Sequence, residues 1–321
     1  MRKKTCIIGS IICVLAVFLT VLTGGFFTPA SAGINSKAGT SGAAFLKIGV
    51  GARAVAMGES FVAVADDANA LYWNPAGIST VVKKELSVMY NKWLIDTNYG
   101  FIGFVHPLEN CSVGLSVLYL DYGKIDGWSD TNQPEPDFTA NDIAVGISCG
   151  KKLNEKLSVG ATLKSVQSKI EKESAQTITA DAGILLSFAA GDTAGEFKTG
   201  LSLQNIVGQL KFIDKAYQLP ANIKAGCAYS PVNKPMTITM DVNIPNDNDI
   251  SANIGLEFRI KQMLALRGGY KLKLTGNDDT GGLSNLTAGI GFIYSPVQID
   301  YALVPYGNLD TSHRVSFSVK F

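Results

Sequence analysis

Two adjacent carboxylates, Asp66 and Asp67, follow Arg53 by thirteen and fourteen residues. Such a trio can hold a cation or close on itself as ion pairs. No further carboxylates stand at the spacing of a calcium loop, so pairing or solvation accounts for them better than a metal does. Asp247 and Asp249 in Asn246-Asp247-Asn248-Asp249, and the Asp278-Asp279 pair, sit in polar runs that ordinary turn chemistry explains. A hydrolytic site would need a serine beside a histidine, and His106 and His313 are the two histidines of the chain. His106 precedes Pro107 at the end of one predicted strand and His313 follows a distant polar loop, so they share no evident site. No Gly-x-Ser-x-Gly elbow occurs, and Gly49-Val50-Gly51 does not continue into a dinucleotide fingerprint. Catalysis is therefore disfavoured, and no cofactor is called for.

These residues are carried by a chain whose dominant pattern is alternation. Leu157, Val159, Ala161 and Leu163 alternate with Ser158, Gly160, Thr162 and Lys164; Ile254, Leu256 and Phe258 alternate with Asn253, Gly255, Glu257 and Arg259. Period two is the signature of a strand with one apolar and one polar face. Fourteen such runs are predicted, near 86–93, 97–106, 111–121, 138–152, 155–170, 174–188, 197–206, 219–229, 235–243, 249–260, 262–273, 283–295, 297–305 and 311–321. In a soluble sandwich the apolar face points to a core, and in a membrane barrel it points to lipid. The connections discriminate. Tight turns at Leu153-Asn154-Glu155, Ser230 to Asn233 and Ser295-Pro296 interleave with longer polar loops at Asp121 to Asp137, Val207 to Gln218, Pro245 to Asp249, Thr275 to Gly282 and Gly307 to Thr311. An even strand count with connections sorted by parity fits a closed antiparallel outer-membrane barrel.

Both ends of the chain agree. The last strand alternates Val315, Phe317, Val319 and Phe321 with Ser316, Ser318 and Lys320 and stops on an aromatic in the lipid phase. Phe317, Val319 and Phe321 are read as a carboxy-terminal signal for barrel-assembly machinery. At the other end, Arg2, Lys3 and Lys4 precede an apolar stretch from Ile7 to about Leu22 and then Ala30-Ser31-Ala32. This predicts a secretory signal peptide over residues 1–32, cleaved between Ala32 and Gly33. Gly24, Gly25 and Pro29 argue against an uncleaved anchor helix. Cleavage removes three cations, so the 28 Lys and Arg fall to 25 against 27 Asp and Glu. That balance and the lack of a basic stripe argue against nucleic acid. Cys111, Cys149 and Cys227 remain as single cysteines in strand-like runs, with no CxxC metal site or disulfide framework.

Residues 33–82 differ from the barrel predicted over 83–321. They are rich in Gly and Ala and lack sustained alternation. Asn74-Pro75 with Gly77 marks a turn, because the residue before a proline is pushed out of helix. Arg53, Asp66 and Asp67 would be costly in an apolar core and acceptable in a polar lumen. The segment is predicted to fold inward as a hatch. The aromatics Tyr90, Trp93, Tyr99, Tyr119, Tyr122, Trp128, Tyr270, Tyr294, Tyr301 and Tyr306 fall near strand ends and suit membrane-interface girdles, with a protein-binding surface as the alternative for Tyr122, Trp128 and Phe138 around the longest loop.

The stretch Gly39 to Gly77 resembles the amino-terminal signature of the PorV/PorQ family of outer-membrane proteins, relatives of the FadL-type hydrophobic-compound transporters. Leu219-Pro220-Ala221-Asn222, Asp241-Val242-Asn243-Ile244-Pro245, Leu264 to Lys271 and Asp300 to Arg314 extend the resemblance in order along the mature chain. It implies a FadL-like barrel of fourteen strands with its amino-terminal segment in the lumen. Two functions are implied. One is a component of type IX secretion that docks on a large translocon barrel and receives cargo by its carboxy-terminal signal domain. The other is a channel that binds a hydrophobic small molecule and passes it sideways through the wall, which would need a strand kink and an apolar pocket.

Overall fold

The computed structural model describes residues 37–94, 97–189, 195–275, 282–307 and 310–321. The predicted signal peptide, its Ala32–Gly33 cleavage site and Asp278-Asp279 lie outside the described residues. Fourteen strands close into one antiparallel barrel. In chain order they are β1 (Glu85–Lys92), β2 (Asn98–Pro107), β3 (Ser112–Trp128), β4 (Pro134–Lys152), β5 (Leu157–Ile170), β6 (Glu173–Ala189) and β7 (Glu196–Gln204). A separate hairpin of β8 (Gln209–Phe212) and β9 (Lys215–Gln218) follows. The barrel resumes with β10 (Asn222–Ser230), β11 (Met236–Pro245), β12 (Ser251–Ile260), β13 (Leu264–Lys273), β14 (Leu286–Tyr294), β15 (Val297–Pro305) and β16 (Thr311–Lys320). Sequential strands are neighbours throughout, β7 pairs with β10, and β1 closes the ring on β16 through Glu85↔Lys320 to Lys92↔His313.

The wall is built inside out relative to a soluble protein. Ile147, Leu163 and Phe292 are about 60% exposed (64, 59 and 61%), whereas Glu257, Asp300 and Arg314 on the opposite phase are 3% exposed or less. Alternation carries the pattern around the ring: on β16, Ser312, Arg314, Ser316 and Ser318 are buried, and Val315, Phe317 and the terminal Phe321 face outward. Water would not tolerate so continuous an apolar exterior, and lipid requires it. Closure leaves the wall no unpaired edge. No described helix is long and apolar enough to cross a membrane.

The predicted long connections all fall at one end of the barrel, here the loop end, and the predicted tight turns at the other, the turn end. Two expected loops contain paired structure. Asp121 to Asp137 continues β3 and β4 as a projecting hairpin paired to Trp128↔Pro134, with register shifts between Asp121 and Lys124 and between Ile125 and Gly127. Most of its residues are exposed or half-buried, and no apolar phase marks it as strand. Val207 to Gln218 holds the β8–β9 hairpin. Tyr99, expected in a girdle, is buried and points inward, where its hydroxyl donates to the Ile48 carbonyl at 2.9 Å. On β2 the inward phase is itself partly apolar, with Phe101 and Val105, so alternation could not tell the faces apart.

Residues 43–81 pack against the inward phase of the wall. They form four short helical turns, Ala44–Lys47, Ala52–Ala56, Ala70–Trp73 and Pro75–Thr80. Helices this short do not persist alone in water, so the wall must hold them. The segment meets the loop end first, where the Gly42 amide donates to the Gln218 carbonyl at 2.9 Å and Lys47 pairs with Asp247 at 2.7 Å. It leaves at the turn end, where the Phe321 amide donates to the Lys84 carbonyl at 2.9 Å just before β1.

Candidate functional site in the barrel interior

Arg53 is the hub of the interior charges. Nη1 donates to Asp66 Oδ1 at 2.5 Å and to Asp67 Oδ2 at 2.9 Å, and Nε and Nη2 reach Glu257 of β12 at 2.9 and 3.2 Å. Glu257 also accepts from Arg267 Nε at 2.7 Å and from Arg259 at 2.8 Å, and Arg267 Nη1 reaches Asp300 at 2.7 Å. Three guanidiniums thus face four carboxylates, Asp66, Asp67, Glu257 and Asp300, in a network close to internal balance. Burial alone would raise Asp66, but the Arg53 guanidinium holds it below the usual carboxylate range. Asp67 is pushed up by burial, with the neighbouring Asp66 charge adding to the shift and Arg53 only partly offsetting it. Breaking such a pair by deleting one partner typically costs about 3–5 kcal/mol, because a charge is left buried and alone.

The Asn74–Gly77 turn meets a different kind of wall. Asn74 is fully buried; its Nδ2 donates to the Val62 carbonyl at 3.0 Å and to the Ile184 carbonyl of β6 at 3.1 Å, and its Oδ1 accepts from the Ala76 amide at 3.1 Å. The side chain therefore starts the Pro75–Thr80 turn and ties it to the barrel. Gly150, Gly160 and Gly183 stand side by side on β4, β5 and β6. A Cβ at Gly160 would lie 2.3 Å from the Pro75 carbonyl, and one at Gly183 would lie 2.0 Å from Asn74 Oδ1. Only glycine lets the turn approach this closely. Gly77 is under the same constraint, since a Cβ there would come 1.9 Å from the Ala65 carbonyl oxygen.

Above the segment, at the loop end, lies a cavity of about 410 Å³. Its lining includes Lys47, Lys224, Lys271 and Lys273, the carboxylates Glu59 and Asp249, the amides of Asn243 and Asn253, and the rings of Tyr72 and Tyr306. Glu59 Oε1 pairs with Lys271 at 2.6 Å. Burial alone would raise Glu59, and the Lys271 charge, with Arg314 and Lys224 beyond it, holds it below the usual range. These groups share the lining with apolar Leu46, Leu272 and Val304, and apolar atoms make up most of its surface.

The other candidate residues stay apart. His106 sits at the turn end of β2, stacked on Phe104, and His313 at the loop end of β16, 2.6 Å from the Tyr301 hydroxyl. Cys111, Cys149 and Cys227 are free thiols. Asp247 is engaged by Lys47. Sequence reasoning singled out Arg53, Asp66, Asp67, Asn74, Pro75 and Gly77 and missed as site residues Glu257, Arg267, Asp300, Arg314 and Lys224. The usable signal was a charge in the polar phase of an alternating strand, the lone charge of its strand for Lys224 and Asp300 and one of several for Glu257, Arg267 and Arg314.

Residues 31–246 match the family described as "Type IX secretion system protein PorV". A protein of Treponema pallidum (strain Nichols) described as a UPF0164 protein is 26% identical over 199 residues, covering 57% of this chain and 47% of that one. The chain thus spans about half the length of that curated relative. Among solved structures, the CymD monoaromatic hydrocarbon channel superposes with a TM-score of 0.62 at 14% identity, over 85% of this chain and 98% of that one. The Pseudomonas putida toluene transporter TodX gives 0.54 at 12% identity (84% and 96%), and a Pseudomonas aeruginosa FadL homologue gives 0.51 at 13% (93% and 100%). At such identities these likenesses speak for the fold, a FadL-like outer-membrane barrel. The family match covers the interior segment and the wall through β11, and the chain belongs to the PorV family of type IX secretion system proteins.

Proposed function

We propose that this protein is a protein-binding component of type IX secretion or surface-protein assembly, seated in the bacterial outer membrane. The single observation that carries this reading is the family match over residues 31–246. The packed interior is compatible with it, since a lumen largely occupied by the chain itself leaves the outer surfaces as the places for a protein partner to bind. In this reading residues 1–32 direct export, barrel-assembly machinery recognises the Phe317, Val319 and Phe321 strand, and residues 33–82 serve as a hatch anchored by Arg53, Asp66, Asp67, Asn74, Pro75 and Gly77. The loop end faces the cell surface, where a large translocon barrel and cargo with carboxy-terminal signal domains are the partners. The projecting β3–β4 hairpin, with Tyr122 and Trp128 exposed on it, is the binding surface.

The second reading, a channel for hydrophobic small molecules, is favoured by the fold shared with hydrocarbon channels. The four lysines among the largely apolar lining of the loop-end cavity are the feature least suited to such a solute. The deciding experiment is a mild-detergent pull-down of the tagged protein from its native outer membrane, with mass spectrometry of bound proteins and lipids. Recovery of a very large barrel and surface proteins sharing one carboxy-terminal domain is expected. A barrel recovered alone with a reproducible apolar ligand would replace secretion by transport. Deleting residues 123–136 should abolish partner recovery while leaving the barrel folded, and unchanged recovery would remove the hairpin from the interface.

A further inference from the structure

Lys224 of β10 is 5% exposed and lines the loop-end cavity. Its ammonium lies 4.3 Å from the Trp73 ring centroid and 5.7 Å from that of Tyr72. Among the described residues no carboxylate forms an ion pair with it. Of the carboxylates whose charge it feels, Glu59 pairs with Lys271 at 2.6 Å, and Asp241 accepts from the Phe61 and Val62 amides at 2.8 and 2.9 Å through Oδ2, its Oδ1 having no donor among the described residues. A buried ammonium needs an anion or dipoles to replace its water, and aromatic faces supply only part of that.

The rest of the lining asks for the complementary half of a ligand. Asn243 and Asn253 border the same cavity, and the side-chain oxygen of each is buried with no donor among the described residues. Each would accept from an O–H group. Tyr72 and Tyr306 line it too, with apolar Leu46, Leu272 and Val304 to meet the carbon face of a ligand. Lining charges are four lysines against Glu59 and Asp249, and with Asp247 taking up Lys47 from just outside the lining a surplus of one positive charge remains. The volume of about 410 Å³ falls within the roughly 300–1,000 Å³ typical of small-molecule sites.

We propose that the loop-end cavity is a binding site for an anionic, polyhydroxylated solute, in chemical class an acidic sugar, whose carboxylate or phosphate is held by Lys224 and whose hydroxyls donate to Asn243 and Asn253. The site is closed below by the amino-terminal segment, so a ligand enters and leaves from the loop end. This inference does not depend on the secretion reading, since the cavity belongs to the barrel whatever docks outside it.

The test is calorimetric titration of the full-length protein in detergent with D-glucuronate, D-glucose and inorganic phosphate as probes, checking the fold by heat-modifiable electrophoretic migration. Saturable glucuronate binding is expected, with glucose and phosphate at least tenfold weaker because each supplies only half of the match. Lys224→Met should weaken glucuronate at least tenfold. Asn253→Asp, close in volume, should do the same by adding a negative charge to the lining, and it keeps the test open if the lysine variant does not fold. Absence of saturable glucuronate binding, equal binding of glucose or phosphate, or folded variants that bind like the parent would each overturn the proposal.

Discussion

The interior segment touches two walls that hold it by opposite means. Along β4 to β6 the wall is smooth: Gly150, Gly160 and Gly183 strip away side chains so that the Pro75 backbone lies directly on the strands, with Asn74 as the polar tie. Along β11 to β16 the wall has teeth. Asp241 accepts two segment amides, Glu257 grips Arg53, Ser316 accepts from the Ala52 amide at 2.8 Å, and Arg314 donates to the Gly49 carbonyl at 2.5 Å. Both walls also keep glycine where the segment comes nearest, as at Gly269, where a Cβ would lie 1.9 Å from the Gly58 nitrogen. Close packing sets how near the segment lies, and directional charge sets where along the wall it stops.

The comparison breaks first on the smooth side. Gly160→Val would drive a side chain into the Pro75 backbone, and folded barrel should fall below detection by heat-modifiable migration, whereas Ala161→Val on the outward phase of the same strand should leave it unchanged. On the toothed side Arg53→Met should destabilise by about 3–5 kcal/mol, read as a lower urea midpoint in micelles. Adding Glu257→Gln should recover part of that loss, and strict additivity of the two would show that the pair is not coupled. Asn74→Ala leaves the Val62 and Ile184 carbonyls without their donor and should cost about 1–3 kcal/mol, with earlier proteolysis of residues 43–81 as the readout. Tyr99→Phe removes one bond to the Ile48 carbonyl and should cost about 1 kcal/mol. A smaller effect for Arg53→Met than for Tyr99→Phe would mean that the charges do not fix the segment.

The wall was legible because lipid on one side and polar groups on the other impose period two on each membrane-spanning strand. That signal ends where the membrane ends, so the projecting β3–β4 hairpin read as a loop, and it fails where the interior is apolar, so Tyr99 was misplaced. The Arg53, Asp66 and Asp67 cluster was visible because its members are close in sequence. Glu257, 204 residues from Arg53, was not, since only the closed ring brings β12 to the segment. Lys224 looked like any polar-phase lysine until its neighbours were counted.

The interior segment enters beside Gln218 at the loop end and leaves beside Phe321 at the turn end, so it is a thread lying inside a ring. The seam of that ring is β1 against β16, the strand that follows the thread and the last strand of the chain. A thread with Trp73 and Arg53 buried along it cannot be drawn through a finished lumen without dismantling its contacts. Pairing along this seam and burial of the thread are linked, since Arg314 and Ser316 of β16 hold the Gly49 carbonyl and the Ala52 amide. A ring opened at this seam would put both of those ties at risk at once, and with them part of what keeps the lumen filled.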